Sequence, residues 1–154
     1  MRLPWASVGF NYRMTKPQLA VGLTQIAKAR RLIDAKLAAM RKIHAMLTDV
    51  DGLIFPGGMD EGHGAHLYVV RTPAVDRATV AAHLKETFQV ATAYHYPIVW
   101  TWDAFADLDH DRSDCDHAVA ASEHALSLPI FAQSTDDDLA YIAQSLRQTL
   151  AALY

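Results

Sequence analysis

The sequence predicts a mixed α/β (α+β) fold, a small sheet of about three strands with packed helices, led by one long N-terminal helix. Three observations carry this. Apolar residues recur at three- and four-residue steps from Leu19 to Leu47. A β-branched and aromatic run, His66 to Thr72, follows a turn rich in glycine and proline. Beyond that run, helical and extended spacing alternate to the end of the chain.

Residues 1–15 read as an irregular loop, since Pro4, Gly9 and Asn11 interrupt any early helix. Thr15, Pro17 and Gln18 then form a helix start, a capping box in which the Thr15 and Gln18 side chains are each expected to satisfy an orphan backbone N–H. Leu19, Leu23, Ile26, Ile33, Leu37, Met40 and Leu47 extend that helix over about 16–47. Residues 16–154 are thus expected to form one small domain. Gly52 and Pro56-Gly57-Gly58 bracket a short extended piece, Leu53 to Phe55. After the strand at 66–72, Val80, His83, Leu84 and Phe88 set a helix over 76–87, and Gln89–Tyr96 returns to strand character until Pro97. Residues 98–117 read as loop with one helical turn around Trp102 to Leu108. Helical spacing over 118–126 and a brief extended Leu128–Phe131 precede a last helix, which starts after Ser134 or Thr135 and runs on Leu139, Ile142, Leu146, Leu150 and Leu153.

The composition narrows the function classes. The chain has 154 residues, 51% hydrophobic and 20% charged, the profile of a globular domain large enough to bury a core without staples. A formal charge of −3 gives no electrostatic footprint for nucleic acid. The first helix is locally basic, with seven cations against Asp34 alone, and reads as a solvated face. No apolar run approaches the ~20 residues of a membrane span, and the first ten residues lack a secretory pattern, so the expected compartment is the cytoplasm.

Generic catalytic motifs are missing from the sequence. Cys115 lies between Asp114 and Asp116, whose charges oppose a reactive thiolate. Asp109, His110, Asp111, Asp114, Asp116 and His117 crowd one loop, but Ala120 stands where a calcium loop needs its bidentate glutamate, and no metal site is expected. Gly57, Gly58, Gly62 and Gly64 match no phosphate-cradling fingerprint.

Four segments, in order, change the reading. Gly9-Phe10-Asn11-Tyr12-Arg13-Met14-Thr15, with Gln18, Ala20, Gly22 and Gln25 behind it, resembles the Gly-x-Asn-x-Arg-Met segment of the DegT/DnrJ/StrS family of PLP-dependent sugar aminotransferases. His66-Leu67-Tyr68-Val69-Val70 resembles the family's first small-domain strand, and Tyr94-His95-Tyr96-Pro97 its His-Tyr-Pro segment. Ser127-Leu128-Pro129-Ile130, before Thr135-Asp136-Asp137, resembles its Ser-Leu-Pro segment and final helix. The likeness covers residues 9–153 and falls on the C-terminal portion of much longer proteins. It departs at Ala65, where many members have tryptophan, and at Val99-Trp100-Thr101-Trp102, where a proline-rich continuation is commoner.

The resemblance implies the C-terminal small domain of a fold-type-I PLP aminotransferase. It further implies amino transfer from a donor such as glutamate or glutamine to a keto-sugar or cyclitol, with PLP as cofactor. It assigns Asn11 to the PLP phosphate of a neighbouring subunit, which an amide N–H can meet without titrating; without the resemblance, Asn11 is a turn residue. Arg13 is implied in substrate binding, or else in a salt bridge within its own loop. Tyr94 and His95 are implied at the substrate pocket, His95 being otherwise a strand-end residue with one satisfied nitrogen.

The family's Schiff-base lysine has no counterpart among Lys16, Lys28, Lys36, Lys42 and Lys85, so no catalytic residue is expected here. A partner is expected instead: a large-domain aminotransferase chain, or further copies of this one. The alternative is a non-catalytic remnant or an oligomerisation or binding subunit of the same family.

Overall fold

The computed structural model describes residues 12–55, 57, 59, 62–105 and 114–154. The chain falls into two compact units, Met1–Leu32 and Ile33–Tyr154.

Helix α1, Lys16–Leu47, has the expected bounds. At its start the Gln18 side chain accepts from the Thr15 N–H at 2.8 Å, and the Leu19 N–H bonds the Thr15 carbonyl at 3.0 Å. Only half of the expected capping box is made, because the Thr15 hydroxyl donates to the same Gln18 oxygen at 3.1 Å and accepts from no backbone N–H among the described residues. The helix is unevenly clothed. Leu37, Ala39, Met40, Ile43 and Leu47 are buried, all near the C-terminal end. In the Met1–Leu32 unit, by contrast, Leu19, Val21, Leu23 and Ile26 are between 49% and 74% exposed.

In the Ile33–Tyr154 unit, β1 (Tyr68–Arg71) and β2 (Ala125–Leu128) pair antiparallel, with Tyr68 opposite Leu128 and Val70 opposite Leu126. Successive side chains on a strand alternate in face, so these four share one face and enter the core. Val69 and Ser127 are paired on the other face. The extended pieces expected around Leu53–Phe55 and Gln89–Tyr96 each contribute a single bridge, Ile54 to Arg71 and Ala93 to Ser127.

Helix α2, Arg77–Phe88, is capped by Asp76, which accepts from the Thr79 N–H at 2.9 Å. It ends where Gln89 turns left-handed at φ 55°, which lets the Val90 N–H reach back to the Leu84 carbonyl at 3.0 Å. Two short 3₁₀ turns, Val99–Thr101 and Asp103–Phe105, occupy the expected loop. Helix α3 spans Asp116–His124 and leads directly into β2, so the extended segment begins at Ala125, three residues before the expected Leu128.

Helix α4, Asp136–Leu153, starts with a reciprocal capping box: Thr135 Oγ1 accepts from the Asp138 N–H at 3.1 Å, and Asp138 accepts from the Thr135 N–H at 2.8 Å. Asp136, Asp137 and Asp138 fill its first turn, where a carboxylate favours the positive end of the helix dipole. Leu139, Ile142, Leu146 and Leu150 face inward at helical spacing and close the core with Val80 and Leu84 of α2. Arg147 of α4 binds the Met46 carbonyl and the Asp49 carboxylate at the C-terminal end of α1. Among the described residues, no helix is long and apolar enough to cross a membrane.

Candidate functional site

Strand β2 organises the site. Ala93 pairs with Ser127 through both backbone bonds, 2.8 and 3.2 Å, on the edge of β2 away from β1. The chain continues from there to Tyr94 and His95. His95 Nδ1 lies 3.0 Å from Ser127 Oγ, joining segments 32 residues apart. Ser127 is buried and His95 half-buried.

Both line a cavity of about 350 Å³ whose walls include Lys36, Tyr68, Thr92 and Phe131. Lys36 Nζ donates to the His66 carbonyl. Partial burial holds its ammonium below the usual lysine range, because a low-dielectric setting disfavours the charged form. Next to it, Tyr68 is buried in the core and its hydroxyl sits 3.2 Å from His44 Nδ1; desolvation pushes the phenol up.

Tyr94 faces a different hollow, of about 330 Å³, shared with Ala78, Lys85 and Thr92. The Arg77 guanidinium lies over the Tyr94 ring at 4.5 Å from its centroid, close enough for cation–π attraction. Arg77 also donates to the Ser122 and Ala125 carbonyls, which fixes that guanidinium. Two neighbouring residues with one implied role thus line separate hollows. Arg13 is exposed and belongs to the Met1–Leu32 unit. Asn11 lies outside the described residues, as do Asp109, His110 and Asp111 of the acidic loop.

Ser127 and Lys36 were not singled out from sequence as site residues. Ser127 stands inside the Ser-Leu-Pro segment, which was the available signal. Lys36 carried none, being one cation among seven on a long helix.

Comparison with known proteins gives the class of this small α/β domain. The pattern of the DegT/DnrJ/EryC1/StrS aminotransferase family matches residues 2–147, and the chain belongs to that family. Among relatives, it is 24% identical over 147 residues to the spore coat polysaccharide biosynthesis protein SpsC of Bacillus subtilis, covering 92% of this chain and 38% of SpsC. It is 23% identical to the dTDP-4-amino-4,6-dideoxy-D-glucose transaminase of Shigella dysenteriae, covering 92% and 39% respectively. Among solved structures, the aminotransferase TlmJ of Streptoalloteichus hindustanus superposes with a TM-score of 0.75 at 25% identity, covering 88% of this chain and 36% of TlmJ. The chain therefore spans less than two fifths of the length of these relatives.

Members of the family are PLP-dependent. A covalent anchor needs an amine held in a cavity against the cofactor's aldehyde carbon, with a carboxylate across the ring keeping the pyridinium nitrogen protonated. Lys42 is more than half exposed, and its ammonium is tied to Asp136 at 2.5 Å. Lys36 is held on a backbone carbonyl, and Lys16, Lys28 and Lys85 are exposed. The described residues do not form the covalent part of a PLP site.

Proposed function

We propose that this chain is the C-terminal, small-domain part of a PLP-dependent aminotransferase that acts on a keto-sugar or cyclitol, active only together with a large domain that these 154 residues do not contain. In this reading Asn11 donates to the PLP phosphate, Arg13 meets an anionic part of the substrate, and Tyr94 and His95 line the substrate pocket. The cofactor's chemistry, when bound, is to carry the amino group between donor and acceptor. The setting is the cytoplasm.

The observation that carries the proposal is the family match over residues 2–147 beside five lysines, none of which combines a free amine in a cavity with a carboxylate across it. The test is co-purification with a large-domain chain from the same source, following PLP absorbance and amino transfer from glutamate or glutamine to a keto-sugar. A complex that gains both supports the reading. No complex and no transfer, or full transfer by these 154 residues alone, would overturn it.

A second reading, a non-catalytic oligomerisation or binding subunit, is favoured by one observation. Leu19, Val21, Leu23 and Ile26 are exposed on α1, and apolar surface of that kind marks an interaction site. Both readings expect a homodimer or heteromer by light scattering. Only the first expects transfer once a large domain is added.

A further inference from the structure

We infer that Ser127 is a positioning residue for His95, whose neutral ring it holds as the tautomer with the proton on Nε2. The argument begins with the backbone. The N–H and carbonyl of Ser127 are both taken by Ala93, at 2.8 and 3.2 Å, so the serine cannot slide along its strand. Its partner across the sheet is Val69, on the face opposite to Leu126 and Leu128. The hydroxyl therefore leaves the core side and meets His95 Nδ1 at 3.0 Å.

Ser127 is 5% exposed, so its side chain is shielded from bulk solvent. Among the described residues, the partner of its Oγ is His95 Nδ1 and no other. Were Nδ1 to carry the ring proton, it would donate to Oγ, and the buried O–H would have no acceptor left. Buried donors without a partner are costly, so the favoured arrangement is O–H donating to a bare Nδ1. A neutral imidazole with a bare Nδ1 carries its proton on Nε2.

The consequence concerns the ligand. His95 and Lys36 line the same cavity of about 350 Å³. With Nδ1 occupied, the remaining ring nitrogen is an N–H donor, and Lys36 has only donors to offer. Such a wall suits a ligand rich in oxygen acceptors, hydroxyls or carboxylates. That step rests on the proposed substrate role of His95; the tautomer does not.

Long-range ¹H–¹⁵N correlation on the 154-residue protein at about pH 8.5, two units above the ordinary imidazole range, reads the tautomer directly. Loss of signals in His95→Gln assigns the ring. The expected spectrum has Nδ1 far downfield, as a bare nitrogen, and Nε2 upfield. In Ser127→Ala the two resonances should move toward each other as the tautomers mix, and Ser127→Thr should restore their separation. A protonated Nδ1 in the wild type, or a Ser127→Ala spectrum identical to it, would overturn the inference. If Ser127→Ala fails to fold, the wild-type and Ser127→Thr spectra decide alone. A transfer assay insensitive to His95 would remove the substrate role and leave the tautomer standing.

Discussion

His83 Nδ1 and Thr149 Oγ1 meet at 3.1 Å, tying α2 to α4 across 66 residues of sequence. Thr149 is fully buried, so the hydroxyl depends on this partner. Replacing Thr149 by valine keeps the volume and removes the bond, leaving a half-buried ring nitrogen unmatched. The expected cost is about 1–2 kcal/mol, read as a lower urea midpoint with an unchanged slope.

Leu146 of α4 is fully buried in the core formed with α1, α2 and the sheet. Leu146→Ala leaves a cavity that rigid neighbours only partly fill. A loss of about 2–5 kcal/mol is expected, checked by denaturant unfolding against the wild type.

Acid should loosen the starts of α2 and α4. Backbone N–H donors, from Thr79 to Asp76 and from Thr135 to Asp138, hold both carboxyls below the usual range. A carboxylate whose folded value is depressed stabilises the fold above its unfolded value, about 3.9, and that contribution fades as the pH falls through the folded one. Melting temperature should therefore fall with pH below about 4, and Asp138→Asn should flatten part of that fall.

Gly52 has a φ of 79°, in the left-handed region, and a Cβ there would run into the Tyr154 ring. Tyr154 is exposed, the ring can swing away, and the backbone remains the larger obstacle. Gly52→Ala should cost about 1–2 kcal/mol. Adding Tyr154→Ala should recover only a small part, which thermal melts of the single and double variants would show.

Where local chemistry and burial agree, the elements were legible in the residues. Thr15 with Gln18 opens α1 and Leu47 closes it; Asp76 opens α2; Thr135 opens α4. Gln89–Tyr96 was harder. Its alternation suits a strand, but Ala91, Ala93 and Tyr94 are exposed, and the backbone bridge to β2 is made at Ala93. Alternation reports which way side chains point, whereas the length of a strand depends on a partner.

The candidate site was legible only through its resemblance to a family, since a tyrosine, a histidine and an arginine at these positions match no generic catalytic pattern.

The order of helices and strands was determined by the sequence alone, because each element rests on residues close together in the chain. The union of His95 with Ser127, the division of Tyr94 and His95 between two hollows, and the use of Lys36 as a cavity wall were decided by tertiary structure. These depend on the register between β2 and the Ala93 segment, and register is set by which faces are buried against distant parts of the chain.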